Sequence, residues 1–295
     1  MTSISVRAKN TDRTETRILG KPIRWSRVLL TVVLAVGSVL MVGPFYWTLI
    51  SSFKSKEEYY VFPPTWWPAN PTIQNWLDLG NLEIGSFPHF FLNSLVVCIL
   101  GTVIALLTSS MAGYIFSKYR FRGREVTFYA ILSLMMVPFN VTMIPLYQVM
   151  VAFKWTNSLF PLILTFGFSP FGIFLMRQFI HSIPTEMIDA ARVDGASEFD
   201  IFFRIILPLC TAALGALGIF IFITLWDDFL WPFILIDKPD LYTLPLGLSQ
   251  FRGQLGINVG GLAAGTMLAV LPVLVIYFLA QKRFIEGIAL SGMKG

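Results

Sequence analysis

The chain has 295 residues, of which 55% are hydrophobic and 13% charged, and its mean hydropathy is +0.69. Soluble domains carry about 25% charged residues, so a soluble globular enzyme is excluded, as are a disordered chain, a collagen-like chain and a disulfide scaffold. The net charge of +5, from 22 basic and 17 acidic residues, does not by itself name nucleic acid as a partner, because cytoplasmic membrane loops also collect Lys and Arg.

A membrane-crossing helix needs roughly 20 apolar residues to pass ~30 Å of hydrocarbon. After a basic leader, residues 1–27, the run 28–50 is uncharged. It is longer than the roughly 7–15 apolar residues of a signal peptide, so it is expected to be a retained first span. Residues 90–116 form the second. The stretch 126–176 holds a single charge, Lys154. As one helix it would be about 76 Å long, so it must fold back, and the polar 154–157 is the natural turn between spans three and four. Pro138 and Pro145 flank Asn140 in the third span and predict a kink of the kind that suits a cavity-lining helix. The uncharged runs 205–226 and 253–281 complete six spans.

Orientation follows from the connections. Seventeen of the 22 basic residues fall in the leader, in 117–125, in 177–204 and in the tail 282–295; only Lys54, Lys56, Lys154, Lys238 and Arg252 fall on the other side. Both termini are therefore expected in the cytoplasm, with 51–89 and 227–260 outside. Topology accounts for the basic balance without nucleic acid.

Cys98 and Cys210 lie inside apolar runs and read as packing residues. His89 and His181 are too far apart in sequence to suggest a metal site. The spans hold no Asp, Glu, Lys, Arg or His, which argues against an ion-coupled carrier. Asp227 and Asp228 read as a solvated helix end rather than an ion site. Asn93, Asn140, Thr142 and Gln148 either line a path for a neutral, hydroxyl-rich solute or hydrogen-bond neighbouring helices. Gly261 with Gly265, and Ala212 with Ala216, mark close helix contacts. No Walker A loop, zinc spacing or nucleophile elbow is present. The chain itself is expected to carry no catalysis and no cofactor.

The connection after the fourth span carries more information. Pro184 fits the first position of a helix, continued by Met187, Ile188 and Ala191. Gly195 fits the left-handed residue that ends it. Ser197 and Asp200 have capping-box spacing, so a second helix starts there and carries Phe199, Phe202 and Phe203. This helix–glycine–helix hairpin either docks on a partner or folds back on its own spans.

The motif Asp189-Ala190-Ala191, three residues, Gly195, then Leu207-Pro208, resembles the EAA loop of bacterial ABC importer permeases. The resemblance extends to 171–177 with Phe179, to 226–230, to 243–248 and to the tail Arg283-Phe284-Ile285-Glu286-Gly287, and is similar to the carbohydrate-uptake branch, of the maltose-permease (MalG) type. It covers nearly everything from about residue 25. The first EAA position holds Asp189 where the family has Glu, and Asp227 stands where Asn is usual. The resemblance implies an all-α, six-span, type I importer fold (MetI/MalG-like) in the bacterial inner membrane. It implies a domain over 28–281 with a coupling loop at 184–207; Asp189, Ala190, Ala191, Gly195, Phe199, Phe203 and Leu207 in that loop, and Pro208 just after it, would face an ATPase. Its partners would be a second permease, two ATP-binding subunits holding ATP and Mg2+, and an extracytoplasmic solute-binding protein that delivers a mono- or oligosaccharide. Gln250, Arg252, Gln254 and Asn258 align with an outer loop that reaches into that binding protein. The alternatives are an ion-coupled secondary transporter of small polar solutes, which needs buried ionisable residues, and a membrane enzyme, which needs a catalytic constellation.

Overall fold

The computed structural model describes residues 25–80, 86–253 and 256–292. The expectations for the leader before residue 25, for Gln254 and for 293–295 lie outside the described residues. The chain parts into two units, residues 1–45 and 46–295. In the first unit the described residues are the beginning of helix α1 (Trp25–Ser51). Their apolar side chains, among them Leu29, Leu34 and Leu40, are exposed, the character of a surface that meets lipid.

In the second unit α2 (Phe87–Lys118) is the central helix. It packs on α6 (Pro170–His181) and α9 (Thr211–Trp226). Cys98, Ala105, Met176, Ile180 and Leu217 are wholly buried in the common core. Small residues decide how closely α2 and α6 approach. A Cβ on Gly113 would lie 2.7 Å from Met176 Cβ and 2.8 Å from Arg177 N, and one on Gly172 would lie 2.3 Å from Ser109 Oγ. The backbones therefore touch at a distance that only glycine permits.

Among the described residues, three helices are long and apolar enough to cross a membrane: Val28–Ser51, Phe87–Lys118 and Val259–Leu279. The other apolar segments depart from straight spans. The third divides into Arg124–Met136 and Phe139–Ala152, bent by 102°; its ordered helices are α3 (Arg124–Ser133) and α4 (Phe139–Ala152). The break falls at Pro138, which lacks the N–H that would continue the ladder, whereas Pro145 is accommodated inside α4. The expected turn at 154–157 is present, with Lys154 and Asn157 both at positive φ. The fourth segment is not one span but two helices, α5 (Phe160–Thr165) and α6. Ser169 caps α6 through Gly172 N at 3.0 Å, Pro170 occupies its first turn, and Thr108 Oγ1 donates to the freed carbonyl of Gly167 at 2.6 Å.

The fifth apolar segment bends by 79° between α8 (Glu198–Leu209) and α9, so the span proper begins at Thr211. The sixth starts at Val259, later than expected: 252–253 and 256–257 form a short antiparallel ladder, and helix α12 (Val259–Gly292) follows. That helix continues past residue 281 into the stretch read as a tail. Between them α10 (Leu230–Leu235) and α11 (Leu244–Ser249) cover the end of the core, and buried Trp231 donates from Nε1 to Thr165 Oγ1 at 3.2 Å.

The connections sort themselves to two ends. At one end Asn157 donates from its backbone to Leu235 O and accepts from Asp237 N at 2.7 Å, and buried Asn75 donates to Ser52 O and Lys54 O, both at 2.9 Å. At the other end Arg177 Nη2 grips both oxygens of Glu125 at 2.7 and 2.9 Å, and Lys118 Nζ donates to Ile183 O. Among the described residues, the basic-rich connections 117–125 and 177–204 thus gather together, and the basic-poor ones gather opposite.

Candidate functional site

Helix α7 (Thr185–Val193) and helix α8 form the hairpin expected from the sequence. Pro184 stands just before α7 as its cap residue rather than within it. Gly195 has φ +82 with open space around its Cα, so the turn needs glycine for its backbone and not for room. Ser197 Oγ accepts from Asp200 N at 3.2 Å and donates to Asp200 Oδ2 at 2.5 Å, the two halves of a local cap. Downstream, Pro208 cannot donate to Arg204 O. The ladder over Ile201–Ile206 relaxes to π geometry, and Cys210 N is shared between Ile206 O and Leu207 O at 3.1 Å each.

The hairpin is anchored on one side and bare on the other. Ile188 and Ile201 are wholly buried, and Phe202 is 4% exposed, with its ring 5.8 Å from that of Tyr114 on α2. Phe199 is 71% exposed and Phe203 50%, while Val193 and Met187 also face outward. Asp189, Ala190 and Pro208 are exposed, and Ala191 and Leu207 are half-buried. The expected site residues are thus split. Most project from the hairpin, while Phe202, outside that set, is the ring that holds it. An open cavity of about 420 Å³ lies at the root, lined by Met111, Tyr114, Ile115, Tyr119, Phe199 and Phe202.

A polar knot fixes the hairpin's angle. Arg192 Nε donates to Glu198 Oε1 at 2.8 Å and Nη1 to Asp189 Oδ1 at 3.1 Å. Tyr114 OH donates to Glu198 Oε2 at 3.1 Å, and Tyr119 OH donates to the same oxygen. The Glu198 carboxylate holds the Arg192 guanidinium charged to even higher pH than usual. Burial, and then Glu198, raise the pKa of the Tyr119 phenol. Neither Arg192 nor Glu198 was singled out from the sequence. Their spacing around Gly195 was the available signal.

The residues named for a solute path fare differently. Asn93 Nδ2 donates to Asp240 O at 2.8 Å and Tyr242 O at 3.0 Å, so its amide group clamps a connection to α2. Asn140 and Gln148 are exposed on α4, about 80° apart around the helix. Thr142 is turned about 160° from Asn140 and bonds back to Phe139 O at 2.9 Å. Of the binding-protein set, Asn258 Oδ1 caps α12 through Gly261 N at 3.0 Å. Gln250 Nε2 donates to Ser249 Oγ at 3.3 Å. Arg252 pairs through its backbone with Ile257. Asp228 Oδ1 accepts from Trp231 N, in the first turn of α10, at 3.3 Å, while Asp227 ends α9 in the open.

Residues 105–289 match the family described as "Binding-protein-dependent transport system inner membrane component". The chain belongs to that family. It is a transport component of the inner membrane and not an enzyme. It is 36% identical over 271 residues to the arabinooligosaccharides transport system permease protein AraQ of Bacillus subtilis, covering 91% of this chain and 96% of that one. It is 33% identical over 264 residues to the lactose transport system permease protein LacG of Rhizobium radiobacter, covering 86% and 92%. Among solved structures, a chain of a bacterial ABC transporter that imports the acidic polysaccharide alginate superposes with a TM-score of 0.79 at 22% identity, over 90% of this chain and 99% of that one. The fold is accordingly that of a type I ABC importer permease.

Proposed function

We propose that this permease is one of two that together form the path of an ATP-driven importer for a carbohydrate, delivered by an extracytoplasmic solute-binding protein. The observation that carries the reading is the hairpin. It sets Phe199, Phe203 and Val193 bare on one face while burying Ile188, Ile201 and Phe202 on the other. An apolar face held out on a rigid support suits a groove on another subunit, and in this family reading the groove belongs to an ATPase that holds ATP and Mg2+. Asp189, Ala190, Ala191, Gly195, Leu207 and Pro208 shape the face that enters it.

Movement of the hairpin would be passed on through stiff links: Glu198 to Tyr114 and Tyr119, Lys118 to Ile183 O, and the glycine contact of α2 with α6. Closure of the ATPase pair would then turn α2 and α6 together. The carbohydrate assignment is supported by the arabinooligosaccharide and lactose permeases to which the chain is similar. Asn140 and Gln148, exposed on the bent third segment, are the residues proposed to meet the solute. Gln250, Arg252, Gln254 and Asn258 keep their proposed place beside the binding protein. The same reading puts 1–27, 117–125, 177–204 and 282–295 in the cytoplasm, around a permease domain at 28–281.

The test is reconstitution of the complex with its ATPases and binding protein. ATP hydrolysis and uptake are measured with a panel of neutral and acidic mono- and oligosaccharides. Stimulation by one glycan-loaded binding protein is the expected result. Uptake that follows a proton or sodium gradient without ATP would point to the secondary carrier.

A further inference from the structure

Between α1 and α2 the chain builds a small rigid platform whose purpose the transport reading leaves unassigned. Lys54, 3% exposed, donates from Nζ to Thr65 O at 2.5 Å and lies 4.4 Å from the ring centre of Trp47. Buried Glu58 accepts through Oε1 from Thr65 Oγ1 at 2.6 Å and from Ala69 N at 2.9 Å. Tyr59 OH donates to Ser51 O and Lys54 O. Burying a lysine and a glutamate is costly unless they are well bonded, and here both are bonded to hold one short loop. What that loop displays is apolar: Phe62 is 91% exposed, Trp66 72%, Trp67 67% and Tyr60 82%.

The depth of this display follows from its attachment. Trp66 stacks edge-on against Trp47 at 5.6 Å, and its carbonyl accepts from Tyr46 OH at 2.9 Å. Tyr46 and Trp47 stand in the last two turns of the apolar span Val28–Ser51, where a helix that has crossed ~30 Å of hydrocarbon emerges at the headgroups. Tyr46, Trp47 and Leu49 are themselves exposed, so the platform and the end of the span to which it is attached share one apolar surface. Trp and Tyr rings favour this interfacial layer, with their apolar bodies in lipid and their polar edges at water.

We propose that residues 57–67 form an aromatic foot that rests in the headgroup layer of the outer leaflet, with Phe62, Trp66 and Trp67 in contact with lipid. The outer side rests on the proposed orientation. The foot sets the depth and tilt of the first span, and the Lys54 and Glu58 bonds keep it from folding away.

Spin labels report the depth. The whole transporter is reconstituted in vesicles of phosphatidylethanolamine and phosphatidylglycerol, with nitroxides on Phe62→Cys, Trp67→Cys and, as a water-exposed reference, Asp240→Cys. The native cysteines, Cys98 and Cys210, are buried. The labels at 62 and 67 should collide several-fold less often with a water-soluble nickel chelate, and more often with oxygen, than the label at 240. Lys54→Met should raise nickel access at both. Nickel access at 62 and 67 equal to that at 240 overturns the foot, and so does shielding that appears only when binding protein is added, which would mark a protein-docking surface. Sidedness is read separately in intact cells with an impermeant thiol reagent: failure to reach Asp240→Cys refutes the orientation, whatever the depth result.

Discussion

Arg192 and Glu198 meet across the left-handed Gly195, guanidinium Nε to carboxylate Oε1 at 2.8 Å. Their side chains are 38% and 48% exposed, so the pair itself stabilises the fold by no more than about 1 kcal/mol. Its contribution is geometric: with the two tyrosines it fixes the angle at which the second arm leaves the turn. Glu198→Ala should leave thermal stability of the complex nearly unchanged and lower uptake several-fold. Glu198→Gln keeps an acceptor for the tyrosines and should lie between. A Glu198→Ala transporter with wild-type uptake would show that the angle is set elsewhere.

Gly195 itself offers a sharper perturbation. Nothing crowds its Cα, so a substitution there acts through φ alone. A β-branched residue held at positive φ costs roughly 1–2 kcal/mol and is relieved by re-aiming α8. Gly195→Val should insert and still allow the binding protein to dock, yet lose most solute uptake and most of the ATP hydrolysis that loaded binding protein stimulates. Gly195→Asn, which tolerates the left-handed region, should retain more of both. Normal uptake in Gly195→Val would reduce the hairpin to a connection.

The three phenylalanines of α8 should separate cleanly. Phe202 is buried against Tyr114, and truncating a buried Phe costs about 3–5 kcal/mol, so Phe202→Ala should lower the melting temperature of the permease. Phe199→Ala and Phe203→Ala remove exposed rings and should leave it unchanged, while weakening capture of the ATPase subunits in a pull-down. The reverse pattern would mean that the hairpin docks through its other face.

At the crossing of α2 and α6, Gly113→Ala places a methyl 2.7 Å from Met176 Cβ and 2.8 Å from a backbone nitrogen. Backbone cannot step aside as a side-chain tip can. Overpacking of this kind costs about 1–3 kcal/mol, and here it also pushes on Arg177, which leads into the hairpin. The expected outcome is a lower yield of folded permease in detergent and a reduced uptake rate in whatever inserts. Gly37→Ala, where no atom lies within 4 Å, is the matched control and should be silent.

The platform loop carries its own pH signature. The hydrogen bond from Thr65, assisted by Ala69 N–H, holds the Glu58 carboxyl below its ordinary pKa. A carboxylate depressed in the folded state stabilises it above the unfolded pKa of about 4.3, and that contribution is lost as pH falls through the folded value. Nitroxide mobility at Trp67→Cys should therefore stay constant from neutral pH down to about 5 and rise in stronger acid. Glu58→Gln should abolish the acid step. An acid step that persists in Glu58→Gln would assign it to another carboxylate.

Much of this architecture is written along the chain, because a bilayer sorts residues by hydropathy in sequence order. The uncharged runs locate the apolar segments, and Lys/Arg counts group 117–125 with 177–204, which the structure brings to the same end. Local chemistry also suffices for the hairpin turn, since Gly195, Ser197 and Asp200 act within a few residues of one another. The break at 166–169 was missed, because it sits in an apolar run whose hydropathy looks continuous, although Ser169-Pro170 is a local cap-and-proline pair that marks it. Tertiary structure decided the rest. Asn93 is a clamp because two carbonyls almost 150 residues away meet its amide, and no local pattern encodes that meeting. Phe202, and not Phe199 or Phe203, is the buried ring because Tyr114 of α2 meets it, a contact between residues far apart in sequence. Gly113 and Gly172 look like any small residues in a greasy helix. Only the packing of α2 on α6 shows that a single methyl would not fit.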